Sequence, residues 1–575
     1  MQQLQRELLP LWASKIFFPR VNLEVKATKK EKKIMNKLHK LLVVASLTLT
    51  AGTLSACGSS SASKAKLKSQ LNWMTTSEIE TMDPSKVVDT TGAEQLNNVM
   101  EGLYNLDANS KLTPGVAKSS KVSKDGLTWT FYLRKNARWS NGDQVTAADF
   151  VYAWQRTLDP KTASQQGNLY DGIKNADAVV AGKKKPSSLG VKAVGKYKLV
   201  VSLEHKLPYM KYLVASGLFP QNRKAVEKYG KKYGTASKYM VYNGAFKQTG
   251  WTGSNLSWKL VKNPYYWNKK SVKLKTVSYS VQKTQSTDLN LYQSGKLDAA
   301  LLSSQAAKAM KTNKAYTVRR QGNTQYLTYN VSKYKFLQNV WVRRALSMAV
   351  NRQALVKTVG GENTVAKTFS APTVVASGQK FAAYVEKRNP NNVYMTYNKK
   401  LAAAYLAKGL KQLGMKKLSF TLTGDDDDTS KQTTEYLQSC FKAAFGDKVD
   451  VSVSNLPKTT RVSRMLNGQY QVTLTGLTSD FPDPYNFLKY MLTGQSYNFG
   501  KWSSKAFDQA VNKSQTATGA KRLSYLLQAE EVLTNQQALT PLYHMGQAWL
   551  VRPTVHGVVF NGGSYWFAHA YVYQK

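Results

Sequence analysis

Residues 470–488, YQVTLTGLTSDFPDPYNFL, hold the tightest local constraint in the chain, because an extended run there meets two prolines at its end. Val472 and Leu474 alternate with Thr473 and Thr475, the period-two pattern of a half-buried strand. Gly476 has no β-carbon, so another group can come close to the backbone, and Leu477 and Thr478 follow it. Pro482 and Pro484 turn the chain away, which leaves Asp480 at a strand end. Two roles fit a carboxylate in that place. It can order the Pro-rich turn, or it can receive a cation brought by a ligand.

A chain of 575 residues has room for about three or four compact units. With 42% hydrophobic and 11% aromatic residues it can fill their cores, so the class is globular. Lys and Arg outnumber Asp and Glu by 82 to 34, a formal charge of +48 that no single segment owns. Such an excess favours polyanions: nucleic acid, anionic lipid or an anionic cell wall.

The compartment decides among them. Met35, Lys37, His39 and Lys40 precede an apolar run over 41–54, and Ser55 and Ala56 then lead to Cys57, Gly58 and a Ser-rich stretch. A basic start and a short apolar run make a signal peptide over 35–56, too short to span a bilayer comfortably. The small residues before Cys57 resemble the lipobox of bacterial lipoproteins, in which that cysteine is lipidated and becomes the mature N-terminus. An acyl anchor and a tether over 57–68 would then hold the body at the outer face of the membrane. Residues 1–34 read as an upstream extension ahead of a start at Met35. Beyond residue 56 the chain keeps 72 basic and 31 acidic side chains, a charge of +41, so the basicity belongs to the exported part. Anionic lipids and teichoic-acid-like polymers are the polyanions met there, and no nucleic-acid partner is expected.

Once Cys57 is used, Cys440 has no partner for an internal disulfide. His39, His205, His544, His556 and His569 are scattered without metal-ligand spacing, and the acids at 425–428 lack the alternation of a calcium loop and read as solvated. No nucleophile elbow, phosphate-cradling glycine loop or zinc-protease helix occurs. Neither a cofactor, a metal nor catalysis is expected.

In chain order, Asp83 and Pro84 mark a turn, 87–91 read as extended, and 92–103 read as a helix ending near Gly102. Trp129, Phe131 and Leu133 alternate as a strand, Asn141 and Gly142 make a turn, and Thr146 with Asp149 opens a helix as a capping box with Asp in place of Glu. Phe150, Tyr152 and Trp154 on that helix belong to the core.

These blocks, 125–156 and 82–91, together with NGAF at 243–246, NPYYW at 263–267, a helix VWVRRALSMAVNR at 340–352 and the 470–488 stretch, resemble the extracellular oligopeptide-binding proteins of ABC importers. Dipeptide, nickel and other solute binders belong to the same class. The resemblance spans nearly all of 68–575. It implies an α/β, two-lobed periplasmic-binding-protein-like fold with an extra domain and a hinge between the lobes. Lobe I would be discontinuous, from 69–100, 229–330 and 541–575; the extra domain would be 101–228 and lobe II 331–540. The implied partners are oligopeptides and the permease and ATPase subunits of the importer, with the receptor acting as a monomer.

A peptide has a uniform backbone and variable side chains, so main-chain hydrogen bonds supply affinity while roomy wet pockets tolerate the rest. By resemblance, Val88, Asp89 and Thr90 face Gly476, Leu477 and Thr478 across the cleft and bond that backbone from two sides. Asp480 matches the acid that pairs with the peptide's α-amino group. Tyr326 matches a pocket tyrosine, and Tyr543 and His544 fall where relatives place aromatics near the cleft; ordinary packing is the other reading for all three. Two departures stand out. Leu477 replaces a tryptophan of well-known relatives, and Leu474 replaces an arginine that can meet a short peptide's carboxyl end, which weakens a tripeptide preference. Arg461 and Arg464 are nearby but are expected to be exposed. A same-fold binder of dipeptides, pheromones or another small solute, and a cell-surface adhesin using the basic exterior, stay open as alternatives.

Overall fold

The computed structural model describes residues 66–575 except Ser496, Gly563 and Lys575. Three sheets carry the architecture. In the first, Gln70–Thr75 lies parallel to Thr276–Val281, which continues antiparallel through Ser257–Lys262 to Phe246–Thr249. Alternation sets its inner face: Leu71, Trp73, Val277, Tyr279, Trp258 and Leu260 are buried while their neighbours, Met74 apart, are more exposed. The C-terminal stretch closes this face, with Trp73 edge-on to Tyr565 and Phe567 at 5.1 and 5.2 Å and stacked at 5.9 Å on Trp549.

The second sheet runs Ala299–Leu301, Leu539–Val551, Tyr316–Tyr329, Val472–Thr478, Leu418–Asp425, Val449–Leu456. Its last two strands are parallel, and the helix Asp428–Phe445 makes the crossover that parallel pairing requires. Two long central strands, Tyr316–Tyr329 and Leu539–Val551, run from the pairing with Ala299–Leu301 to the pairing with Val472–Thr478. Boundaries at 330/331 and 540/541 cut this sheet, because Leu539 and Thr540 pair with Thr328 and Leu327. The regular pairing of the two long strands breaks instead at Arg320/Thr324 and again at Gln325/Tyr326, where bulges let the sheet bend.

The third sheet is antiparallel, Ala117–Val122, Thr128–Leu133, Lys198–Ser202, Val191–Ala193, and packs against the helix Ala147–Leu158. That helix opens at Thr146 as expected, with Asp149 accepting from the Thr146 N–H at 2.7 Å. Phe150 and Trp154 are buried, and Tyr152 is only half-buried.

Four local expectations need correction. Val472–Thr475 is not half-buried: all four side chains are inside, since the strand is central in its sheet and covered on both faces. The helix over 340–352 breaks into Val340–Met348 and Arg352–Val359, because Asn351 caps the second piece through the Ala354 N–H and the Arg352 guanidinium takes the Ser347, Met395 and Pro541 carbonyls. The helix expected from residue 92 begins at Thr90, where Asp89 supplies the cap. The tether expected over 57–68 ends sooner, because Leu67 and Lys68 pair with Tyr573 and Val572; Cys57 and the segments 1–34 and 35–56 lie outside the described residues.

Candidate functional site

A cavity of about 590 Å³ opens between the N-terminal end of the Thr90–Val99 helix and the C-terminal end of the Val472–Thr478 strand. That volume falls within the range of ligand sites, roughly 300–1,000 Å³. Val88, Asp89 and Thr90 line it on one side and Leu477, Thr478 and Asp480 on the other.

The strand wall is half of a sheet edge. On one side 472–478 pairs fully with Tyr316–Tyr329, but on the other it pairs with Leu418–Asp425 only at Val472 and Thr473. From Leu474 onward no strand pairs with it among the described residues, and past the buried Leu474 and Thr475 the edge opens at 476–478 to an extended chain. Gly476 lies on it without lining the cavity; a β-carbon there would collide with the Gln325 side chain.

The opposite wall is a short extended segment. Val88 is 58% exposed, and neither its N–H nor its carbonyl meets a partner among the described residues. Asp89 accepts from the Gly92 N–H at 2.7 Å and its carbonyl takes the Ala93 N–H. Thr90 is the first helical residue, so its N–H and that of Asp89 meet no partner among the described residues and are open beside the Val88 backbone. The segment is held from behind: Arg156 grips Asp83 with two bonds of 2.7 Å, the Ser85 N–H closes on Asp83 at 3.0 Å, and Gln166 donates to the Val87 carbonyl.

The two acids of the Pro-rich turn divide the roles left open above. Asp483 is buried, accepts from the Tyr485 N–H at 2.9 Å and takes Arg522 at 2.7 and 3.0 Å, so it orders the turn. Asp480 is exposed at the cavity wall. One of its oxygens accepts from the Asn486 amide and the Tyr490 hydroxyl, both at 3.0 Å, while the other takes no hydrogen bond among the described residues. The carboxylate is therefore oriented yet keeps an oxygen for a cation. Lys489 lies buried next to it, its Nζ 5.0 Å from the Tyr490 ring, and burial holds its pKa below the ordinary value although Asp480 and Asp171 pull the other way.

Tyr326, Tyr543 and His544 do not reach the cavity. Tyr326 packs edge-on to Phe369 at 5.1 Å; the buried Tyr543 hydroxyl sits 3.5 Å from Thr433 Oγ1. His544 Nδ1 lies 2.9 Å from Thr324 Oγ1, and burial with nearby Arg320 pushes its pKa down to about 4, which keeps it neutral. Arg461 is not exposed either: 4% accessible, it meets Asp425 at 2.5 and 3.2 Å and Thr475 Oγ1 at 3.0 Å, whereas Arg464 faces solvent. Asp427, in the same acidic run, caps the Asp428–Phe445 helix. Tyr490, Tyr497, Asn168 and Trp566 line the cavity and were not singled out from the sequence. Asn486, six residues past Asp480 on the short helix Pro484–Leu488, folds back on it across the turn and carried no signal in the sequence.

The chain matches, over residues 111–499, the model of the bacterial extracellular solute-binding proteins, family 5. It is 34% identical to a dipeptide-binding protein of Lactococcus lactis, covering 92% of this chain and 98% of the relative, and 32% identical to the oligopeptide-binding protein OppA of Bacillus subtilis over the same shares. Among solved structures it is similar to Listeria monocytogenes OppA bound to peptide, with TM-score 0.73, 32% identity, and 88% of this chain and all of that one covered. The pheromone receptor PrgZ gives TM-score 0.74 at 31% identity, with the same coverage. Two lobes of mixed α/β structure around a ligand-sized cavity, and a match over most of both sequences, lead to one assignment: the chain belongs to the bacterial extracellular solute-binding proteins of family 5.

Proposed function

We propose that this protein captures oligopeptides in the cavity and delivers them to an ABC importer at the outer face of the membrane, to which lipidated Cys57 anchors it. The carrying observation is the juxtaposition of an open strand end, whose Leu477 and Thr478 line the cavity, with an unpartnered Val88 backbone, closed off at one end by the exposed carboxylate of Asp480. A peptide backbone satisfies both walls whatever its side chains, and its α-ammonium suits the open oxygen of Asp480. The printed names of the relatives, dipeptide- and oligopeptide-binding, and the peptide-bound neighbour support this reading. Bending at the register breaks near 320–326 would bring the walls together over the ligand. Binding without turnover is expected, so a captured peptide leaves unchanged.

Mass spectrometry of material released from protein purified out of its own host tests the proposal. Peptides of varied sequence are the expected occupants. A single non-peptide solute, or peptide cut during incubation, would contradict it.

A further inference from the structure

The chain carries 82 Lys and Arg side chains, yet among the described residues the only charged ones lining the cavity are Asp89 and Asp480. No lysine, arginine or histidine lines it among the described residues. Asp89 turns one oxygen to the Gly92 N–H and buries the other, so Asp480 is the acid a ligand meets. Three cations on elements that flank the cavity are held elsewhere: Lys489 is buried beside Tyr490, Arg156 is bound to Asp83, and Arg461 to Asp425. Tyr490 and Tyr497, 5.0 Å apart, add ring faces that favour a cation at the Asp480 end. A negative cavity thus opens inside a strongly positive exterior.

Taking the peptide-receptor reading as given, we infer that the cavity holds its ligand by the amino end alone and provides no clasp for the carboxyl terminus, which is left towards the basic exterior. A carboxylate drawn into this cavity would lose its hydration and meet no counter-charge, whereas outside it finds diffuse, salt-screened attraction. The class of ligand is therefore a peptide with a free amino end, whose carboxyl end need not be free.

Calorimetric titration of the full chain with one peptide in two forms, free acid and C-terminal amide, at physiological salt, provides the test. The two dissociation constants should agree within about threefold, as a screened surface contact allows. Loss of more than about tenfold on amidation would reveal a carboxylate clasp and overturn the inference while leaving peptide capture intact. Failure of both forms to bind, across a panel of host-derived peptides, would instead remove the peptide reading and the inference with it.

Discussion

Single residues show how this fold separates structural charge from charge offered to a ligand. Asp480 and Asp483 stand three positions apart in the same turn, and one paired arginine decides between them: Arg522 occupies Asp483, and among the described residues no arginine pairs with Asp480. Arg461 does the same on the other side of the strand. Buried against Asp425, Met465 and Thr475, it ties the start of the free edge to the neighbouring strand end. Arg461→Leu would leave Asp425 without its counter-charge, and because Asp425 is about a quarter exposed the loss falls below that of a fully buried pair, at about 1–3 kcal/mol. The urea midpoint should therefore fall with the slope of the transition unchanged. An unaltered midpoint would mean that the ion pair is surface decoration.

At the scale of elements, what the sequence made legible was whatever depended on local pattern. The Thr128–Leu133 strand, the capped Ala147–Leu158 helix and the 470–488 strand-to-turn junction all follow from side-chain period, cap chemistry and proline. What it left illegible depended on distant partners. Nothing in 472–475 tells that Tyr316–Tyr329 and Leu418–Asp425 will flank it and bury its threonines. Likewise, the break at 349–351 arises because Arg352 finds the Pro541 carbonyl nearly two hundred positions away. The site divides along the same line. Val88, Asp89, Thr90, Leu477, Thr478 and Asp480 line the cavity, but Tyr326, Tyr543 and His544 lie in the core beneath it, because their strands are interior ones in a covered sheet.

For the molecule as a whole, buried acids set the response to pH. Burial is the leading cause that raises Glu94, Glu101, Glu530 and Asp288 to about 7 and Asp149 to about 6. Unfolded, these groups titrate near 4, so between pH 4 and 7 the folded chain binds more protons than the unfolded one. Their contribution is complete below the unfolded pKa and is lost as pH rises through the folded one. His544, depressed to about 4, and His569, also lowered by burial, work in the opposite sense but are two groups against five. Thermal melting should thus show a higher Tm near pH 5 than near pH 7.5, levelling off above about pH 7. A Tm that climbs across this interval would place these carboxyls in water. Below pH 4 the repulsion of a body already carrying a large positive charge takes over.

Asp480 remains the point on which peptide capture turns. The most direct measurement is a binding titration of wild-type protein and Asp480→Asn with one peptide in free and N-acetylated forms. The free peptide should lose more than about tenfold in affinity on substitution and the acetylated one less than about twofold, because only the former gives up a charge pair. Equal losses for the two peptides would show that Asp480 does not meet the amino end.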